Sequence, residues 1–174
     1  MHFEFTTPAA HDKPTVILSW IGTQPKLPSI MLNSHMDVVP VYEEFWTHKP
    51  FDADIDADGK IFARGTQDMK SVGMQYLAAI RRLKKSGKKL KRTIHVSYVP
   101  GEEVFDPEGM RAFLASKVFK RLNVGFSCDE GSASPTEAFN VFYGERVCWR
   151  KLHSHKYFIL TQTFTFFRAF VQGS

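Results

Sequence analysis

Four short clusters of acidic residues and histidine in this chain have the types needed to hold a metal ion: His35-Met36-Asp37, Asp68, Glu102-Glu103 and Asp129-Glu130. One imidazole nitrogen with several carboxylate oxygens is a mixed donor set that suits zinc, with manganese or cobalt as substitutes. Each cluster follows a stretch that reads as a strand. In open α/β sheets, sites form beyond the carboxyl ends of the strands, so four such loops can converge on one crevice. Taken singly, each cluster has a plainer role. His35 could be a hydrogen-bonded core histidine, and Asp68 could cap the helix that begins at Lys70. Glu102-Glu103 could be a solvated loop pair, and Asp129-Glu130 a turn before Gly131. Four coincidences, all behind strands, favour one site, and residue types alone leave the choice open.

The elements that must position these clusters are legible as patterns. Apolar, β-branched runs at residues 15–21, 30–33, 61–63, 93–99, 124–127 and 138–143 read as strands. Between them, residues 70–85 place Val72, Tyr76, Ile80 and Leu83 at helical spacing. A second helix is predicted over residues 107–116, with Pro107 in its first turn. Strands alternating with helices predict an α/β architecture, with a central, largely parallel sheet flanked by helices.

Composition sets bounds. A length of 174 residues suits one domain, and 43% hydrophobic with 24% charged content is ordinary for a soluble globular protein. Much of the net charge of +5 comes from RRLKKSGKKLKR, residues 81–92, which holds eight basic residues and no acidic one. Such a run can bind nucleic acid, an anionic membrane or an import receptor. The preferred reading is a solvated helix end, with Gly87 just past it and lysines favoured by the helix dipole. No nucleic-acid module accompanies the run, so neither nucleic acid nor membrane is an expected partner. Cys128 and Cys148 form neither a C-x-x-C motif nor a disulfide framework, which fits a reducing compartment. The first residues lack the apolar core of a signal peptide, and no stretch reaches about 18 uninterrupted apolar residues, so a cytoplasmic location is expected.

After Glu145 the composition shifts. Residues 146–174 contain no acidic residue, and five of the chain's 16 phenylalanines fall between Phe158 and Phe170. A membrane-anchoring tail and an extra edge strand are both open readings. The preferred one is a non-native ending, such as an alternative splice product.

The ordered motifs NSHMDVVPV (residues 33–41), GTQDMK (65–70), PGEEV (100–104) and DEG (129–131) closely resemble the aminoacylase branch of a zinc metallopeptidase family. That family includes carboxypeptidase G2 and acetylornithine deacetylase. The stretches FWTHKPFDADIDADGKIFARG, RTIHVSYVP and PTEAFNVFYGER extend the similarity from about Thr15 to Arg146. The resemblance implies a zinc-exopeptidase-like catalytic domain with two zinc ions. It implies that His35 binds the first zinc, Asp68 bridges the pair, Glu130 completes the first set and Glu103 binds the second zinc. It makes Glu102 the general base, puts Asp37 behind His35 to accept the imidazole N–H, and implies a cis peptide after Asp68.

Three departures stand out. Gly101 occupies a position that is acidic in the family, and Val104-Phe105-Asp106-Pro107 replaces a glycine-rich turn. After Arg146 the family continues into a dimerisation domain and then returns to finish the catalytic domain. Residues 1–146 are therefore expected to be a partial catalytic domain, with 147–174 a divergent tail and the dimerisation domain absent. The family's oxyanion-stabilising histidine and its last ligand of the second zinc would be missing too, leaving that zinc weakly held. His153 and His155 lie outside the motifs and are not assigned to either role.

The expected reaction is hydrolysis of small-molecule N-acyl-L-amino acids to a carboxylate and a free L-amino acid, by metal-activated water with Glu102 as base. The alternatives are a dipeptidase or another N-deacylase of the same family, or an inactive truncated isoform that binds only zinc or a partner. Family members homodimerise, but through the domain expected to be absent.

Overall fold

The computed structural model describes residues 2–6, 13–131, 134–138, 141, 149–155 and 158–164. Its centre is a five-stranded sheet built from β1 (His2–Thr6), β2 (Thr15–Trp20), β3 (Ser29–His35), β6 (Ile94–Val99) and β7 (Val124–Cys128), in the order β1-β2-β6-β3-β7. A small hairpin, β4 (Asp54–Ile55) with β5 (Ile61–Phe62), precedes helix α1 (Ser71–Lys85). Helices α2 (Ala112–Ala115) and α3 (Lys117–Leu122) fill the connection from β6 to β7.

The α/β class holds, and the sheet is mixed rather than largely parallel. β3, β6 and β7 run parallel, while β1 pairs with β2, and β2 with β6, antiparallel. Connection length explains the split. A parallel crossover needs a dozen or more residues. The β3–β6 and β6–β7 connections carry helices, whereas residues 7–14 and 21–28 are only eight-residue links. In the parallel ladder His35 lies opposite Val99 and Leu32 opposite Cys128. The carboxyl ends of β3, β6 and β7 therefore share one edge, and their loops emerge together.

Helices cover both faces. On one, α1 approaches closely at Gly73, where a Cβ would lie 2.8 Å from Ser34 Oγ and 2.9 Å from Tyr98 Cε1. The Tyr98 hydroxyl donates to the Gly73 carbonyl at 2.9 Å. On the other, Ile17, Met31, Val99, Phe113 and Leu122 form the buried core, with Met110, Val118, Phe119 and Val124 packed against it. Burying each such side chain contributes roughly 1.5–3 kcal/mol. Phe113 and Phe119 meet edge to face, their centroids 5.4 Å apart.

The helix predicted over residues 107–116 is broken. A wide turn, Pro107–Arg111, kinks at Gly109, where a Cβ would meet the Pro100 carbonyl oxygen at 2.2 Å. Ser116 leaves the helical region and its hydroxyl accepts the Phe119 N–H at 3.1 Å, capping α3. The basic run behaves as a helix end. α1 stops at Lys85, and Gly87 follows with φ +75°, its N–H bonded to the Lys84 carbonyl at 3.1 Å. In the tail, β8 (Trp149–His155) and β9 (Phe158–Phe164) pair antiparallel as a separate two-stranded sheet, so neither strand extends the central one. Of the strand predicted at 138–143 only residues 138 and 141 are described, and neither is in a strand; the rest lies outside the described residues. Among the described residues, no helix is long and apolar enough to cross a membrane.

Candidate metal centre

His35 closes β3 and is 2% exposed. Its Nδ1 lies 2.9 Å from the Asp37 backbone carbonyl, which can only accept, so Nδ1 carries a proton. That leaves Nε2 to face the crevice. Three carboxylates surround it: Asp68 Oδ1 at 3.0 Å, Glu130 Oε1 at 3.5 Å and Glu102 Oε2 at 3.9 Å. The loops behind three different strands thus converge on one imidazole nitrogen.

Asp68 sits where the chain breaks before entering α1. Its backbone is extended, with φ −110° and ψ 101°, and the peptide to Met69 is cis, as the resemblance implies. Met69 is fully buried beside it and its sulfur accepts the His35 N–H at 3.2 Å. Asp68 does not cap α1: Lys70 occupies the cap position, which has no side-chain cap hydrogen bond. The carboxylate is left facing the crevice.

Glu102 and Glu103 follow β6 on a tight turn. Gly101 has φ +74°, and the Asp106 N–H bonds back to the Gly101 carbonyl at 2.8 Å. The Asp37 carboxylate grips this turn, Oδ1 accepting the Glu102 N–H and Oδ2 the Glu103 N–H, each at 3.0 Å. This corrects the expected contact of Asp37. Its nearer oxygen is 3.6 Å from His35 Nδ1, and the backbone carbonyl of the same residue takes the imidazole N–H instead. The two backbone N–H bonds set the orientation of the carboxylate, and in that orientation its nearer oxygen stops short of hydrogen-bond distance to the ring. Asp129 is held similarly, one oxygen accepting the Asn33 amide at 2.8 Å and the other the Glu130 N–H at 2.9 Å.

The cluster is strongly coupled electrostatically. Burial pushes Glu102 up to about 7, with Glu103, Asp129 and Asp37 adding repulsion and only His35 opposing it. Burial likewise raises Glu130 to about 7, while its bond to His35 pulls the other way. Burial disfavours a charged His35, but Glu130, Glu102 and Asp68 together outweigh it and hold the imidazole up at about 10. Glu103 and Asp129 are raised, chiefly by burial. These shifts mark a crowd of carboxylates around one imidazole.

A divalent ion fits that crowd. Donors on a tetrahedral zinc, with bonds of about 2.0–2.1 Å, stand roughly 3.3 Å apart, and Asp68 and Glu130 lie 3.0 and 3.5 Å from Nε2. Among the described residues, two three-donor groups form, each with donor atoms within 4.8 Å of one another: His35 with Glu102 and Glu130, and His35 with Asp68 and Glu103. Both use His35. All four residues assigned to metal by the sequence, and Glu102, are therefore brought together. The contribution of Asn33 was missed; its signal is an amide in the middle of a buried apolar strand. His48 is separate, stacked on Phe62 at 4.0 Å.

Residues 31–156 match the model of peptidase family M20/M25/M40. The chain is similar to aminoacylase-1 of Mus musculus, 56% identical over 133 residues, covering 76% of this chain and 33% of that protein. Aminoacylase-1 of Dictyostelium discoideum is 50% identical over 137 residues, covering 78% and 34%. This chain thus spans about a third of the length of the curated relatives it matches. Among solved structures, an M20 family metallo-carboxypeptidase from Sulfolobus solfataricus superposes with a TM-score of 0.61 at 27% identity, covering 75% of this chain and 29% of that one.

Proposed function

The chain belongs to peptidase family M20/M25/M40, and from that footing we propose that it carries the metal-binding core of an enzyme that hydrolyses N-acyl-L-amino acids to a carboxylate and a free L-amino acid. The observation that carries the reading is the convergence of Asp68, Glu102 and Glu130 on His35 Nε2. The substrate class rests on the similarity to the aminoacylases, at 50–56% identity.

His35, Asp68 and Glu130 would hold the first ion and Glu103, with Asp68, the second. Because Nε2 serves only one ion, the second is left with carboxylates alone among the described residues. Zinc, when bound, polarises the amide carbonyl and brings the pKa of water to about 7. Glu102 stands farther from Nε2 than Asp68 or Glu130, within reach of the same space. Its raised affinity for protons suits a group that takes one from the attacking water and delivers it to the leaving nitrogen. Asp37 keeps that carboxylate aimed by fixing the backbone beneath it. The substrate is a small soluble molecule, and a cytoplasmic location accords with it.

The test is release of methionine from N-acetyl-L-methionine by the zinc-loaded chain, with Glu102→Gln alongside. Glu102→Gln should keep zinc binding and lose any zinc-dependent release that the chain shows. Equal release by both proteins would remove Glu102 from the base role.

A further inference from the structure

Two polar side chains lie where the sheet should be apolar. Ser97 is fully buried in the middle of β6, and Asn33, in the centre of β3, is 3% exposed. They are opposite one another in the parallel ladder. Ser97 Oγ donates to Asn33 Oδ1 at 2.7 Å, and Asn33 Nδ2 donates to Asp129 Oδ2 at 2.8 Å. The second Asp129 oxygen accepts the Glu130 N–H at 2.9 Å. Glu130, only 7% exposed at its side chain, then faces His35 Nε2.

The directions of these bonds form a chain in series. With its hydroxyl donating, Ser97 fixes which end of the Asn33 amide is oxygen, and so turns the NH2 toward Asp129. The two Asp129 oxygens are then committed, one to the strand beneath it and one to the backbone of Glu130. Buried polar groups require such full satisfaction, and leaving one unpaired costs about 1–3 kcal/mol. An apolar pair at 33 and 97 would pack a sheet interior without that risk, so packing alone does not account for these residue types.

We propose that Ser97 and Asn33 are positioning residues for the metal centre: through Asp129 they fix the backbone of Glu130, and hence the approach of its carboxylate to His35. The proposal rests on the reading of Glu130 as a metal ligand. Groups that orient metal ligands typically alter affinity by about 10–100-fold when removed.

The experiment measures zinc affinity of the full chain by chelator competition, with cobalt absorption spectra and thermal unfolding recorded on the same proteins. The variants are Asn33→Ala, Ser97→Ala, their double, Glu130→Gln and Ser19→Ala. Ser19 is another buried serine, 2.7 Å from His95 Nδ1, in a pair that leads to the Leu122 carbonyl and away from the site. Asn33→Ala and Ser97→Ala should each weaken zinc by about 10–100-fold and shift the cobalt spectrum. The double should be no weaker than Asn33→Ala, because the bonds act in series. Ser19→Ala should lower the unfolding temperature and leave zinc affinity alone. If Asn33→Ala fails to fold, Ser97→Ala carries the same readout. Zinc affinity unchanged by Asn33→Ala and Ser97→Ala, but lowered by Glu130→Gln, overturns this proposal alone. Affinity unchanged by Glu130→Gln overturns the metal-site reading beneath it. Equal weakening by Ser19→Ala reduces the effect to general stability and overturns the positioning role.

Discussion

Replacing Asp37 separates two roles for one carboxylate. In the structure it accepts the N–H groups of Glu102 and Glu103, each at 3.0 Å, and stands 3.6 Å from the His35 ring. Hydrogen bonds to a charged group contribute about 1.5–3 kcal/mol each. The Asp37 side chain is 25% exposed, so water partly replaces them and the low end applies. Asp37→Asn keeps one acceptor and turns an NH2 toward the other N–H, losing roughly 1.5 kcal/mol, or about tenfold in the population of the ordered turn. Asp37→Ala loses both bonds, about 3 kcal/mol on the same basis. Amide hydrogen exchange read by NMR reports this directly. The Glu102 and Glu103 amides should exchange about tenfold faster in Asp37→Asn and faster still in Asp37→Ala, with amides in β2 unchanged. The His35 ring should keep its Nδ1 proton, because that bond goes to a backbone carbonyl. Unchanged protection at 102 and 103, together with a changed His35 tautomer, would refute the clamp and restore the contact expected from sequence.

Other perturbations follow from the same geometry. Gly101→Asp should destabilise the chain by about 2–3 kcal/mol in urea unfolding: a left-handed non-glycine residue costs about 1–2 kcal/mol, and displacing a helix cap about 1 kcal/mol. Here a Cβ at 101 would lie 2.5 Å from that of Asp106, whose side chain caps the next turn by accepting the Glu108 N–H at 2.9 Å. Phe113→Ala should remove about 3–5 kcal/mol, since the ring is fully buried in the core. In EDTA, the site's contribution to stability should fall as pH rises. Glu102 and Glu130 titrate near 7 instead of 4.5, and His35 near 10 instead of 6.5, so the folded chain holds more protons than the unfolded chain from about pH 4.5 to 10. With zinc present the trend should reverse, because metal displaces those protons; thermal unfolding across pH, with and without zinc, reads both slopes.

The site was legible where a residue type coincides with a strand end. His35, Glu102-Glu103 and Asp129-Glu130 follow parallel strands in register, so their convergence needs only that the strands be adjacent. Asp68 was legible as a residue behind the strand read at 61–63, while its rival reading as a helix cap does not hold, since Lys70 takes that position. What Asp37 touches was not, because an acidic residue two positions from a histidine looks the same whether it faces the ring or a backbone 65 residues away. Asn33 and Ser97 were hidden for a related reason. Both lie in runs that read as strands, and only the fold shows that the two side chains are buried and opposite one another. The mixed direction of the sheet followed from connection lengths, which pattern reading did not weigh. The predicted end of the second helix at Ser116 coincides with the cap of α3, whereas the kink at Gly109 inside that helix was not read from its glycine. The tail hairpin lacks a glycine or asparagine turn between His155 and Phe158, which left its self-pairing invisible.

The most direct measurement is a crystal of the chain soaked in zinc, with anomalous difference maps collected at the zinc edge. The arrangement requires a first peak about 2.0–2.2 Å from His35 Nε2 and from oxygens of Asp68 and Glu130, with any second peak weaker and on Asp68 and Glu103. A dominant peak at His48 and Asp54, where Nδ1 and Oδ2 lie 3.4 Å apart, or no peak within reach of His35, would contradict a metal centre at the carboxyl edge of the sheet.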